Sequence, residues 1–350
     1  MNCSWVVLPN IDAMTELTVL QSEFDTACKK TQEFNLCVYS AREQYGIEHS
    51  QNLLYNCSNL VENQTQVKKA VVCLTSASED YKFDVPNNIT LKFVDNCLAV
   101  THRKIIENQH LVNIKYNPKN TALYLMGKPT KIHRIGLLYK FYKQHQLGML
   151  KHSAYLNMGI VNICKNILPE SDDAFYAAIN KHLDSIDIKM SDNGSHYDGV
   201  PYDVQLYETT GLSLISETHS RKAQNDFTDK LITEKTYRAM LNSHPFIIMA
   251  SPGFIENLSD KGYKTFTEYL PIQYHKIQDI NERMDAIVTC TASFLNNLTD
   301  IDFVKLISKD IEHNFDLVYN NGLQLNNELY SFFNGTDILK LTGQIRFGSV

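Results

Sequence analysis

The chain has 350 residues, 43% hydrophobic and 21% charged, an ordinary globular composition and enough length for two cores of roughly 100–200 residues each. That excludes a disordered tail or a lone small module. Its 33 Lys and Arg against 39 Asp and Glu give a net charge of −6, the reverse of the usual footprint for non-specific nucleic-acid binding. No apolar run approaches the ~18 residues that a membrane helix needs. The start Met1-Asn2-Cys3-Ser4-Trp5 lacks the basic and apolar blocks of a secretory signal. A soluble, cytoplasmic protein with no membrane partner is expected. The eight cysteines contain no Cys-x-x-Cys pair, and several lie in apolar runs such as Ala70-Val71-Val72-Cys73-Leu74, so they are expected as reduced, packed thiols.

In the first 120 residues, short apolar runs alternate with helical patterns. Trp5–Leu8, Leu36–Tyr39, Ala70–Thr75 and Ile89–Val94 read as strands, with an amphipathic stretch over Ala13–Cys28. This is the pattern of βα units on a mostly parallel sheet. It restarts after the polar hinge Tyr116-Asn117-Pro118-Lys119-Asn120, with a strand at Thr121–Met126, a helix at Ile135–His145 and a second strand at Ala154–Met158. Turn chemistry at Ser191–Ser195 and Asp198–Pro201 marks about 168–204 as a loop-rich excursion. Strands follow at Leu212–Ser216 and Phe246–Ala250, with a helix at Thr236–Asn242 between them. Helices follow at Glu256–Ser259, from about Ile277 to Leu295 and around Val304–Tyr319. Two α/β domains, 1–117 and 118–350, with ligands beyond the strand carboxyl ends are the economical arrangement.

Three segments place polar groups where a strand gives way to a helix or loop. In Tyr124-Leu125-Met126-Gly127-Lys128-Pro129-Thr130-Lys131-Ile132-His133-Arg134 a strand runs into a basic loop and a helix start, whose N–H groups and dipole favour an anion. Arg134 can grip a phosphate bidentately, while Lys128 and Lys131 act as point charges. In the second segment Glu217 follows the strand Leu212–Ser216. In the third, Thr233 is placed to cap the helix that Glu234 and Lys235 begin. A carboxylate so placed can accept two ribose hydroxyls, and the adjacent Lys can neutralise a diphosphate.

Segments two and three resemble the donor-binding signature of the α1,3-fucosyltransferase family, a strand ending in Glu-Asn-Ser, then Tyr-Val-Thr-Glu-Lys, a helix and a Val-Pro-Val strand. Here they stand as Ser216-Glu217-Thr218-His219, Ile232-Thr233-Glu234-Lys235 and His244-Pro245-Phe246-Ile247-Ile248. With Ser251-Pro252-Gly253-Phe254 and Lys261-Gly262-Tyr263-Lys264-Thr265-Phe266 added, the string is still more similar to glycosyltransferase-like proteins of tailed phages and large viruses. Those also carry His-Arg before a helix, as His133-Arg134 does. The likeness spans about residues 121–290 and departs at Thr218-His219, where fucosyltransferases have Asn-Ser.

The resemblance implies a GT-B arrangement, two Rossmann-like domains facing a cleft. It also implies a UDP- or GDP-sugar held by the C-terminal domain as co-substrate, with no cofactor and no required metal. Glu234 would hold the ribose, Lys235 and Arg134 the diphosphate, and Glu217 would lie close to the donor sugar. Lys128, Lys131, Thr218, His219 and Thr233 complete the candidate donor site. In an inverting reaction a carboxylate from the other domain deprotonates the acceptor hydroxyl, and Glu79 and Asp80, with Glu43 and Asp95 behind them, are the candidates. The acceptor is either a glycan or a hydroxylated base in viral DNA. DNA would need Lys128, Lys131, His133, Arg134, Lys140 and Lys143, with Arg103-Lys104, to share one face.

Plainer readings stand beside these. Arg134 can be a solvated first-turn residue, Lys128 and Lys131 surface charge, and Glu217 a cap on a turn. Glu234-Lys235 can be an exposed pair, and His219 and His244 satisfied loop histidines. Asp192, His196, Asp198 and Asp203 follow no regular metal-ligand spacing. Gly-x-Gly-x-x-Gly, phosphate-loop and Gly-x-Ser-x-Gly motifs are missing. A catalytically idle nucleotide- or glycan-binding module on the same scaffold is the alternative to an enzyme.

Overall fold

A computed structural model describes residues 4–9, 17–30, 33–40, 47–62, 64–74, 82–107, 116–126, 129–152, 158–183, 204–217 and 232–337. By contact the chain divides into two compact units. One comprises Met1–Arg103, Ala223–Leu231 and Asn320–Val350, the other Lys104–Lys222 and Ile232–Tyr319. The chain passes between units more than once, where sequence reasoning expects one passage near residue 117.

In the first unit, β1 (Ser4–Pro9), α1 (Leu17–Lys30), β2 (Phe34–Ser40), α2 (Ile47–Val61), β3 (Val67–Leu74), β4 (Thr90–Phe93) and α3 (Asn96–Glu107) follow in order. The strands form a parallel sheet in chain order, β1-β2-β3-β4. Alternation along β2 and β3 divides two cores. Leu36, Val38, Ala70, Val72 and Leu74 pack with Phe24 of α1 and Leu53, Leu54 and Cys57 of α2. Cys37, Val71 and Cys73 face the other way, with Trp5, Ala99 of α3 and the late residues Leu329 and Phe333. Seven cysteines, Cys28, Cys37, Cys57, Cys73, Cys97, Cys164 and Cys290, are free thiols, and burial pushes Cys57 up to about 12, the state of an inert packing group.

The second unit holds β5 (Ala122–Tyr124), α4 (Ile132–Lys143), β6 (Leu150–His152), α5 (Met158–Ile167), α6 (Asp173–Leu183), α7 (Val204–Glu208), β7 (Leu212–Ser216), α8 (Glu234–Leu241), β8 (Phe246–Met249), α9 (Phe254–Asp260) and α10 (Ile280–Asn297). The last helix, α11 (Ile301–Phe332), begins here and ends in the first unit. Its strands are also parallel but ordered β6-β5-β7-β8. From β5 the chain moves one strand outward, then returns to β5's other side, so strand order reverses between β5 and β7. Every residue of β5, β7 and β8 is buried, as a parallel sheet covered on both faces requires. Leu123 packs on Leu206 and Tyr207 of α7, while its neighbour Tyr124 donates a 3.2 Å hydrogen bond to the Arg134 carbonyl of α4.

Two sequence expectations are corrected. The strand beside β5 is Leu150–His152; of the expected strand Ala154–Met158, Ala154 to Asn157 lie outside the described residues and Met158 begins α5. The expected excursion over 168–204 contains a three-turn helix, α6, which Asp172 starts by accepting a 2.8 Å bond from the Phe175 N–H. The turn residues after 190 overshadow the apolar Phe175, Tyr176 and Ile179, which stand at helical spacing and are all buried.

Gly211, entering β7, shows how closely the backbones pack. Its N–H donates to Thr121 O at 2.8 Å, and a Cβ there would lie 2.1 Å from the Lys119 carbonyl oxygen. Gly211→Ala should therefore cost about 3 kcal/mol or more in urea unfolding. At Gly148, where an added Cβ would meet nothing within 4 Å, the same change should leave the midpoint nearly unmoved.

Candidate functional site

Ligands of open α/β sheets sit beyond the strand carboxyl ends where strand order reverses. In the second unit that place is the end of β5 and β7, and the first and second sequence segments meet there. Glu217 directly follows β7. Its N–H extends the ladder to Met249 O at 2.9 Å, and its carbonyl oxygen accepts from His133 Nε2 at 2.9 Å. Since a carbonyl only accepts, His133 carries its proton on Nε2. The first turn of α4 is thereby tied to the end of β7.

The Glu217 side chain reaches the third segment. Its Oε2 accepts from Thr233 Oγ1 at 2.5 Å, and its Oε1 from Thr236 Oγ1 at 2.6 Å and Thr233 N at 3.3 Å. Glu217 is 2% exposed and both threonines are buried. Thr233 is the N-cap of α8, its Oγ1 accepting from the Lys235 N–H at 3.4 Å, as the sequence predicts. The α4 start differs, since Lys131 occupies its N-cap without a side-chain cap bond. Arg134, in that uncapped turn, is buried at 5% exposure, which overturns the reading of a solvated first-turn residue.

Glu234 and Lys235 stand between the two anchored threonines, their side chains 20% and 19% exposed. Lys235 Nζ donates to Glu234 Oε1 at 2.9 Å and to Thr233 Oγ1 at 3.1 Å. The second carboxylate oxygen, Oε2, is buried without a hydrogen-bond partner among the described residues. Burial alone would push the Glu234 carboxyl up, but the Lys235 ammonium, joined by Arg238, holds it below the usual carboxylate range. The site therefore holds an ionised carboxylate with one oxygen unpaired among the described residues, a cation beside it, and a helix start whose N-cap residue makes no side-chain cap bond.

Some expected site residues take other duties. Glu217, expected near the donor sugar, has both carboxylate oxygens hydrogen-bonded to the first turn of α8. Asp95 caps α3, accepting from Leu98 N at 2.9 Å. Lys140 pairs with Asp285 at 2.7 Å and Arg103 with Asp337 at 2.6 Å, and His133 is buried at 4% exposure. The basic stretch is thus partly spent on internal contacts. Lys128, Thr218, His219, Glu43, Glu79 and Asp80 lie outside the described residues, as do Asp192, His196, Asp198 and Asp203. Among the described residues no group of three or more His, Cys, Asp or Glu is placed to hold a metal ion, and no helix is long and apolar enough to cross a membrane. Sequence reasoning missed Thr236 and the linking role of His133. The Thr233-x-x-Thr236 spacing, which places both hydroxyls on one helix face, was the available signal.

Comparison with protein-family models, curated proteins and solved structures finds no match to this chain.

His244 belongs to the opposite, amino end of the sheet. Its Nε2 donates to Thr210 O at 2.8 Å, which leaves Nδ1 to accept from Ser213 Oγ at 2.7 Å. Burial lowers its pKa from the ordinary 6.5 to about 4. The unfolded chain takes up this proton below pH 6.5 and the native one only near pH 4. Stability from this residue is thus complete above pH 6.5 and falls by about 3 kcal/mol as pH drops to 4. Unfolding of His244→Gln, followed across that range, should lack this part of the slope.

Proposed function

We propose that the chain is a glycosyltransferase of GT-B-like arrangement that moves a sugar from a UDP- or GDP-linked donor to a hydroxyl acceptor without a required metal. One observation carries the reading. Arg134, Glu234 and Lys235, the residues that the glycosyltransferase resemblance assigns to the donor, stand on two helix starts tied to the same end of β7, at the strand-order reversal of the second unit.

In this reading the α4 first turn and Arg134 take the diphosphate, whose growing negative charge as it leaves must be met by fixed dipoles and cations when no metal helps. Glu234 Oε2 accepts a ribose hydroxyl, which supplies the hydrogen bond this buried oxygen lacks. Lys235 exchanges part of its contact with Glu234 for a phosphate oxygen. Glu79, Asp80 and Glu43, which lie outside the described residues, stay the candidates for the general base. A glycan hydroxyl is favoured over a base in DNA, because Lys140 and Arg103, two of the cations a phosphate backbone would need, are paired with carboxylates.

Thermal unfolding with UDP, GDP and their sugars at millimolar concentration should single out one stabiliser, worth about 2.7 kcal/mol at a hundredfold excess over Kd. Lys235→Ala should abolish that shift and Lys140→Ala should retain it. No shift with any nucleotide would overturn the proposal. A shift with no sugar transferred to any hydroxyl acceptor would leave the nucleotide-binding module as the function.

A further inference from the structure

We propose that Glu217 is a positioning residue, a buried carboxylate that fixes the first turn of α8, and through it Glu234 and Lys235, without itself meeting the ligand. Its effect on nucleotide binding rests on the donor-site reading above, whereas its hold on the helix does not.

The geometry leaves Glu217 no other duty. Its N–H is in the ladder with Met249 and its carbonyl is taken by His133. Its two carboxylate oxygens receive three donors, all from Thr233 and Thr236. Those threonines bracket Glu234 and Lys235, so a turn pinned at both ends sets the backbone from which the two partly exposed side chains project. The helix dipole favours a carboxylate here, but a negative charge behind an anion site opposes phosphate. An electrostatic part in binding and a positioning part therefore predict opposite signs. Removing the charge would tighten nucleotide binding in the first case and weaken it in the second.

Glu217→Gln, Thr236→Val and the double variant test this in the full chain. Thr236→Val keeps the side chain's shape and removes one hydroxyl from a residue that is wholly buried. Amide hydrogen exchange of Lys235, Thr236 and Tyr237, followed well below the melting temperature, should quicken about tenfold in each single variant and by less than the summed effects in the double, since the Glu217–Thr236 bond is common to both changes. UDP or GDP, whichever stabilises the wild type, should bind about tenfold more weakly to both single variants, with the double again losing less than the sum. Unchanged exchange in this turn would overturn the proposal, as would tighter nucleotide binding by Glu217→Gln. So would additive losses from the two substitutions. A wild type that binds no nucleotide would defeat the donor-site reading alone, and the exchange arm would still decide whether Glu217 holds the turn. Should Glu217→Gln fail to fold, Thr236→Val carries both measurements.

Discussion

One buried glutamate joins four elements of the second unit. Through its N–H, carbonyl and carboxylate, Glu217 ties the end of β7 to β8, α4 and α8. A buried charge is costly unless its hydrogen bonds are complete, and the two threonines of α8 complete them. The same requirement makes the node specific, because shifting α8 by one residue would remove both hydroxyls from the carboxylate. The chemical equipment of the candidate site hangs on this node, as Arg134 directly follows His133 and Glu234 and Lys235 lie between the threonines.

The two sheets contrast in the way that decides where such a site can form. Strands in the first unit follow chain order, so successive crossovers step in one direction. In the second unit strand order reverses between β5 and β7, the position beyond whose strand ends open α/β sheets bind their ligands. His244, with its hydrogen bonds to Ser213 and Thr210, consolidates the other end of the same sheet. Polar groups at one end serve packing, and those at the other retain a carboxylate oxygen unsatisfied among the described residues and a helix start whose N-cap residue makes no side-chain cap bond.

Packing of the first unit draws on distant sequence. Leu329 and Phe333 cover the face of its sheet that carries Cys37, Val71 and Cys73. The α11 backbone meets α3 at Gly322, where an added Cβ would lie 2.5 Å from the His102 ring. Lys69 lies over the Phe332 ring at 4.3 Å, where a cation also meets the negative end of the helix dipole. Nothing in the periodicity of the last helix distinguishes its early residues, which pack in one unit, from its late ones, which pack in the other.

Local physics was legible in the chain itself. Apolar runs of four to six residues with β-branched content gave seven of the eight strands among the described residues, and Thr233 before Glu234-Lys235 announced the capped start of α8. The strand at Leu150–His152 escaped because three residues carry too little pattern, and α6 because turn residues after it outweighed its own spacing. Tertiary structure alone decided which charges are available. Glu217, Asp95, Lys140 and Arg103 all read as ligand or base candidates along the sequence, yet each is committed to a partner in the fold. Strand order likewise depends on long-range pairing rather than on local preference. A residue's type sets what chemistry it can perform, but only its neighbours in space determine whether that capacity is already spent.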